Sequence, residues 1–370
     1  MNESKLRWGI LSAAEIARKN WRAIFNSGNG IVSAVASRDV QRSRDFIALC
    51  QREAPFEQMP RALGSYEELI AAKDVDAVYV PAPTGLRKQW VIRAAEVGKH
   101  VVCEKPCAPN LADLREMLDA CRRNGVQFMD GVMFTHSRRF ERLGELLDEG
   151  RTLGSLRRIT SAFSFAASPE FFAGNIRANS ELEPLGCFGD LGWYCIRVTL
   201  WAMKFQLPRR VVGRLLSQHG RADSPAPVPT EFSGELFFDG GVSAGFYCSF
   251  VTNLQQWVHL SGTEAEIYVP DFVLPYTGTE LTLEIARPEY HINDCDFRME
   301  PGLRRMVVPE HSHGHPSAQE SNLYRNFAQQ VRSGQLNGSW PDIAWKTQQV
   351  TQKCLESARM DGQELTLEAV

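Results

Sequence analysis

The sequence predicts an α/β N-terminal domain built on a parallel sheet, followed by an α+β C-terminal domain with a large open, mostly antiparallel sheet. Three observations carry this. Strand-like and helix-like segments alternate singly through residues 1–130. After Gly150 the pattern changes to period-two runs with few helices between them. The chain then closes on two long helical segments, 317–332 and 342–360. Strands separated by single helices need crossover connections, which give parallel pairing. Strands joined directly by turns form antiparallel or mixed sheets.

The first half resolves element by element. Residues 6–11 form a short apolar strand, 14–26 a helix, 31–36 a second strand and 41–53 a second helix. Ser65 and Glu68 have the spacing of a capping box and open a helix that runs to about Lys73. Residues 76–80 are the third strand, and the helix after it ends with Gly98 at C′. Residues 100–104 are the fourth strand. Asn110 caps the next helix, Gly125 closes it, and residues 126–130 are the fifth strand. The expected order is 3-2-1-4-5, which puts the first and fourth strands beside the point where the winding reverses. Ligands bind at the carboxyl ends of strands at such a point. A boundary is expected after residue 130, with 131–370 forming the substrate-binding and oligomerisation domain and its last helices packing back toward the first domain.

The second half reads as sheet. Residues 156–165 and 235–238 alternate at period two. Asp239-Gly240-Gly241 is a hairpin turn leading into a return strand over 242–250, and 259–269 is another strand pair around Gly262 and Thr263.

Composition narrows the function classes. A net charge of −3 gives no electrostatic argument for nucleic acid or an anionic membrane. No apolar run approaches the length of a membrane span, and the first residues lack a signal-peptide pattern, so a cytoplasmic protein is expected. The nine cysteines are scattered, with no metal-knuckle spacing, and are expected to be reduced thiols. His311, His313 and His315 alternate, but no cysteine or carboxylate cluster completes a metal site around them. They are expected in a solvent loop.

The turn after the first strand places Ser12, Ala14 and Ala17 where a dinucleotide fingerprint, G-x-G-x-x-G/A, has its small residues. Ser12, Ala13 and Ala14 let the backbone approach a pyrophosphate, and the following helix offers free N–H groups. Gly9 and Ile16 are expected to line this cofactor path with them. At the end of the second strand stand Ser37 and Arg38. A guanidinium pairs bidentately with phosphate oxygens, so NADP is the preferred cofactor, while Asp39 keeps NAD possible.

Two further clusters carry chemistry. Glu104-Lys105-Pro106 ends the fourth strand, and an ammonium there can orient and polarise a substrate oxygen. Asp190 and Tyr194 are four residues apart and share a helix face, a spacing suited to holding a hydroxyl and moving its proton. His136 is a possible cleft residue by position. Trp193 and Phe163 could stack on a sugar ring, with core packing the safer assignment.

Together these motifs resemble the Gfo/Idh/MocA family. Glu104-Lys105-Pro106 is similar to its E-K-P signature, and Gly189-Asp190-Leu191-Gly192-Trp193-Tyr194 to its G-x-x-D-x-G-x-H signature. The opening Trp8–Ala17 and the closing stretch 320–359 also resemble the family. Tyr194 stands where many members carry histidine; branches similar to glucose–fructose oxidoreductase, dihydrodiol dehydrogenase and xylose dehydrogenase carry tyrosine there. Arg87 likewise replaces a usual histidine. The resemblance implies a Rossmann NAD(P) domain and hydride transfer at a hydroxyl or carbonyl carbon of a sugar, polyol or dihydrodiol. It implies Lys105 as the orienting and acid/base residue, Asp190 as its substrate-holding partner, and a homodimer or homotetramer through the C-terminal sheet. Tyr194 is expected to donate a proton to a carbonyl, or to act as a base if Lys105 lowers its pKa. Glu104 and Lys105 are also expected along the cofactor. The rival reading is a non-catalytic dinucleotide-binding sensor of the same fold, motivated by the missing glycines.

Overall fold

The computed structural model describes residues 5–367. Its first sheet is six-stranded and parallel: β1 (Leu6–Leu11), β2 (Gly30–Ala36), β3 (Arg61–Leu63), β4 (Ala77–Val80), β5 (His100–Cys103) and β6 (Phe128–Asp130), in the order β3-β2-β1-β4-β5-β6. Helices α1 (Glu15–Ser27), α2 (Val40–Glu53), α3 (Tyr66–Ala71), α4 (Arg87–Glu96) and α5 (Leu111–Arg123) supply the crossovers. Every residue of β4 is buried, as a parallel strand covered on both faces requires. The capping logic holds locally: Ser65 accepts from the Glu68 N–H at 3.2 Å, and Asn110 from the Asp113 N–H at 2.9 Å.

The strand order corrects the expectation. The segment at 76–80 lies beside β1, not outside β2, and the outer place belongs to β3. The winding therefore reverses between β1 and β4, and Glu104-Lys105-Pro106 follows the next strand out. A three-residue edge strand with one buried side chain carries no periodicity, so nothing in the sequence marks β3.

The second sheet has nine strands: β7 (Leu156–Ser164), β8 (Arg210–His219), β9 (Val228–Phe237), β10 (Ser243–Ser249), β11 (Gln255–Gly262), β12 (Glu266–Val269), β13 (Leu281–Ala286), β16 (Leu303–Val308) and β17 (Leu365–Thr366). A separate ribbon, β14 (Glu289–Asn293) with β15 (Asp296–Glu300), extends β13 and β16 in unbroken register. The order is β16-β13-β12-β11-β7-β10-β9-β8-β17, antiparallel except for the parallel pair β7–β10. The turn at 239–241 joins β9 and β10, with Phe237 opposite Ser243.

Helices α6 (Arg138–Asp148), α7 (Pro169–Gly174), α8 (Trp193–Ala202), α9 (Gln319–Arg332) and α10 (Ser339–Arg359) complete the chain. Phe188, just before α8, stacks on Phe232 of β9 at 4.0 Å and fixes the approach of α8 to the sheet. Arg197 of α8 forms a buried pair with Asp130 at the end of β6, joined by the Trp193 indole N–H at 3.3 Å. Arg197 also donates to Thr347 of α10 at 2.8 Å. Breaking such a buried pair strands a charge and typically costs about 3–5 kcal/mol. On the other side, α9 lies against the parallel sheet through Trp8–Tyr324 and Trp8–Phe327 contacts at 5.0 and 5.3 Å.

Among the described residues no helix is long and apolar enough to cross a membrane. All nine cysteines are free, and all but Cys295 are buried.

Candidate active site

The end of β1 leads into α1 through Ser12, Ala13 and Ala14. Ala14 is the N-cap and offers no side-chain acceptor, so the first N–H groups of α1 are not capped from within. Ser12 holds φ at 134°, a region that favours glycine and costs another residue on the order of 1–3 kcal/mol. The backbone thus keeps the bend of a glycine turn although the glycine is absent. Ile16 is exposed at the first turn of α1. Gly9 sits elsewhere than expected: it is buried inside β1, and a Cβ there would lie 3.0 Å from Leu69 and Val75. It admits the close packing of α3 and does not line the turn.

At the end of β2, Ser37 is buried and Arg38 is exposed with no ion-pair or hydrogen-bond partner among the described residues. Asp39 is engaged as the N-cap of α2, accepting from the Gln41 N–H at 2.8 Å. An uncapped helix over a small-residue turn, with a free guanidinium at the next strand end, fits a phosphorylated dinucleotide.

The second cluster forms around Lys105, whose peptide bond to Pro106 is cis. Its Nζ donates to Asp190 Oδ1 at 2.7 Å and to the Asp190 carbonyl at 2.8 Å. It also stands 4.8 Å from the centre of the Tyr194 ring. Asp190 lies in a wide π-helical turn, Phe188–Gly192, that runs into α8. The turn is closely packed: a Cβ on Gly189 would lie 2.6 Å from Leu185, and one on Gly192 2.5 Å from Phe188. Lys105, Asp190 and Tyr194 therefore meet in one place. Glu104 does not pair with the Lys105 ammonium. It accepts from the Tyr79 hydroxyl at 2.6 Å and from the Lys105 backbone N–H at 3.3 Å.

Electrostatics separates the roles these groups can take. Burial would raise the Asp190 carboxyl, but Lys105 and then Arg177 outweigh it and hold its pKa at about 2. Burial, reinforced by the Glu104 and Asp190 carboxylates, pushes the Tyr194 phenol well above its usual value. The alternative of a lysine-activated tyrosinate is thus not what the geometry builds, because the ammonium is committed to Asp190.

Sequence reasoning missed three participants. Arg177, in the turn Ile176–Ala178, places Nε 2.9 Å from Asp190 Oδ2. Glu183 accepts from the Thr84 N–H at 3.0 Å, tying the loop after β4 to the second half of the chain. Tyr79 supports Glu104. Arg177 and Glu183 lie in irregular loops where no periodicity marks them. Arg87, flagged as a departure, is buried and braces the strand ends, donating to the carbonyls of Ala82 at 2.6 Å, Glu104 at 2.9 Å and Pro106.

Arg87, Glu104, Arg177 and Glu183 line one cavity of about 460 Å³ that runs from Ile16 and Asn20 on α1 to Lys105, Asp190 and Tyr194; Tyr79, Ser12, Ala13, Ala14, Ser37 and Arg38 lie outside its wall. Phe163 forms part of its wall, whereas Trp193 is fully buried in the core. His136 is bonded to Asn326 at 3.0 Å beneath α9 and does not line this cavity. Nor are the loop histidines simply solvated: His311 stacks on His315 at 3.5 Å, and both bond to Ser317. Among the described residues no group of three His, Cys, Asp or Glu side chains is placed to hold a metal ion.

Residues 6–132 match the family model described as "Oxidoreductase family, NAD-binding Rossmann fold", and residues 140–268 match the GFO/IDH/MocA C-terminal domain. The trans-1,2-dihydrobenzene-1,2-diol dehydrogenase of Mus musculus is 32% identical over 291 residues, 77% of this chain and 80% of that protein. The D-xylose 1-dehydrogenase (NADP(+)) 2 of Haloferax volcanii is 32% identical over 279 residues, 75% of this chain and 80% of that protein. The crystal structure of the aldose-aldose oxidoreductase of Caulobacter crescentus, complexed with glycerol, superposes with a TM-score of 0.79 at 21% identity, covering 98% of this chain and 100% of that one.

Proposed function

Because the chain belongs to the Gfo/Idh/MocA oxidoreductase family, with its NAD-binding Rossmann fold, we propose that it is an NADP-preferring enzyme that interconverts a hydroxyl and a carbonyl on a sugar, polyol or dihydrodiol. The observation that carries this reading is the convergence of Lys105, Asp190 and Tyr194 in the cavity that opens from the N-terminus of α1. Residues 1–130 form the dinucleotide domain in this reading, and 131–370 the substrate domain. Ser12, Ala13 and Ala14 would hold the pyrophosphate, and Ser37 and Arg38 the 2′-phosphate. The free guanidinium of Arg38 and the engaged carboxylate of Asp39 both support NADP over NAD.

A bound nicotinamide supplies the hydride donor or acceptor. Lys105 orients the reacting oxygen and stabilises negative charge on it. Asp190, ionised and bonded to Lys105, holds that ammonium in place. Tyr194, a neutral phenol, donates its proton to the oxygen in reduction and is left as the phenolate; the oxidative direction starts from that phenolate, which takes the proton from the substrate hydroxyl. The intact set of three weighs against the sensor reading, since binding alone would not need it.

We also propose that copies associate as a homodimer or homotetramer through the nine-stranded sheet, in the cytoplasm. The exposed Tyr290, Ile292, Phe297 and Met299 on one face of the β14–β15 ribbon support association. Eight buried, unpaired cysteines suit a reducing compartment. The test of the function is a titration with NADPH and NADH followed by fluorescence, then assays on xylose and trans-dihydrodiols. Tighter NADPH binding with turnover supports the reading. Absence of binding by either nucleotide would sink it.

A further inference from the structure

We propose that Arg177 makes this an enzyme for anionic sugars: the guanidinium reads a carboxylate or phosphate on the substrate while Lys105 and Tyr194 address the reacting oxygen. The inference rests on the oxidoreductase reading above and names the class of substrate for that site.

The geometry begins with how Arg177 is held. Its closest approach to Asp190 is through Nε, at 2.9 Å, and the side chain keeps 41% of its surface exposed while lining the cavity. Neither Nη1 nor Nη2 has a hydrogen-bond partner among the described residues. A guanidinium carries five N–H donors in a planar fork, and the Nη1–Nη2 edge matches two oxygens of one oxyanion. Asp190 thus anchors the side chain by one nitrogen and leaves the recognition edge available.

Charge points the same way. Four basic side chains line the cavity (Lys19, Arg87, Lys105 and Arg177) against three acidic ones (Glu104, Glu183 and Asp190), a balance of +1. Arg87 donates to backbone carbonyls and stands 3.9 Å from Glu183, which accepts from the Thr84 N–H. Lys105 and Arg177 share the single carboxylate of Asp190. Lys105 and Arg177 thus carry one positive charge more than the carboxylate they contact, and a neutral sugar adds no counter-charge there. An anion on the substrate completes the pairing in a site of reduced dielectric, where the interaction is stronger than in water.

The test is calorimetric titration of the protein–NADPH complex with glucose, glucuronate and glucose 6-phosphate, for the native chain, Arg177→Met and Arg177→Lys. At least one anionic sugar should bind tenfold or more tightly than glucose in the native chain. The better of the two anions identifies the group that is read. The preference should fall to about one in Arg177→Met and survive in part in Arg177→Lys, which keeps the charge and controls for folding. Equal binding of glucose and both anions, or a preference that survives in Arg177→Met, would overturn the proposal. Binding preference without turnover of any sugar would leave Arg177 as the anion reader and count against the oxidoreductase reading instead.

Discussion

The Nζ of Lys105 lies 2.7 Å from Oδ1 of Asp190, a residue 85 positions later in the chain. One group ends a strand of the parallel sheet, and the other sits on the turn that leads into the helix covering the second sheet. The pair is therefore both a join between the two halves and the centre of the cavity. Asp190 is shared with Arg177, so it is an ionised anchor and not a base.

Lys105→Met keeps most of the side-chain volume and removes the ammonium. Its kcat should fall by about 10²–10⁴, the range for loss of a positioned acid/base or electrostatic group. Steady-state turnover with NADP(H), alongside a circular-dichroism check of folding, measures this. Full turnover in the variant would remove Lys105 from the chemistry.

Tyr194→Phe keeps the ring under Lys105 and removes only the phenol. Reduction should slow by about 10²-fold or more. In the native protein the phenol titrates well above its usual value, first through burial and then through Glu104 and Asp190. The proton donor is present below that pKa, so the reductive pH profile should show no alkaline loss from Tyr194 up to about pH 10. An alkaline limb centred near pH 8 that disappears in Tyr194→Phe would contradict the assignment.

Arg38→Ala should weaken NADPH about 10–100-fold, as expected for a lost charge-assisted hydrogen bond of about 1.5–3 kcal/mol, and leave NADH nearly unaffected. Parallel fluorescence titrations decide it. An equal effect on both nucleotides would mean that Arg38 does not discriminate the 2′-phosphate.

Ser12→Gly should stabilise the chain. Relief of the positive φ is worth about 1–3 kcal/mol and the added chain entropy costs about 0.5–1 kcal/mol. A net gain near 1 kcal/mol raises Tm by a few degrees. Thermal denaturation reads this directly, and a lower Tm would show that the serine side chain repays its strain.

His136 links stability to pH. Burial lowers its pKa from 6.5 to about 4. The unfolded chain takes up this proton more readily than the folded one, so stability is lost as pH falls from about 6.5 toward 4. The loss is at most on the order of 3–4 kcal/mol. His136→Gln, which can still bond Asn326, should lose less stability than the native chain across that window in urea titrations. Parallel curves for the two proteins would remove His136 from the pH response.

The parallel sheet, its caps and the antiparallel hairpin at 239–241 were legible because they rest on local signals: alternation of elements, Ser65 and Asn110 before their helices, and glycine at tight turns. Lys105, Asp190 and Tyr194 stood out through motif spacing alone. The edge strand β3 was not legible, since three residues carry no periodicity, and its omission displaced the reversal point by one strand. The exposed strands β14 and β15, and β8 and β17 at the far edge of the second sheet, were not legible either.

What the sequence by itself determined is the order of elements, the residue types at the strand ends and the charge they carry. Only the tertiary structure decided which of those charges meet. It drew Asp190 between Lys105 and Arg177, gave Glu104 to Tyr79, turned Arg87 inward onto carbonyls and placed Gly9 beneath α3. Each of these is a contact between residues far apart in the chain. Spacing along a strand or helix fixes which way a side chain faces, but the partner it finds depends on how whole elements pack against one another.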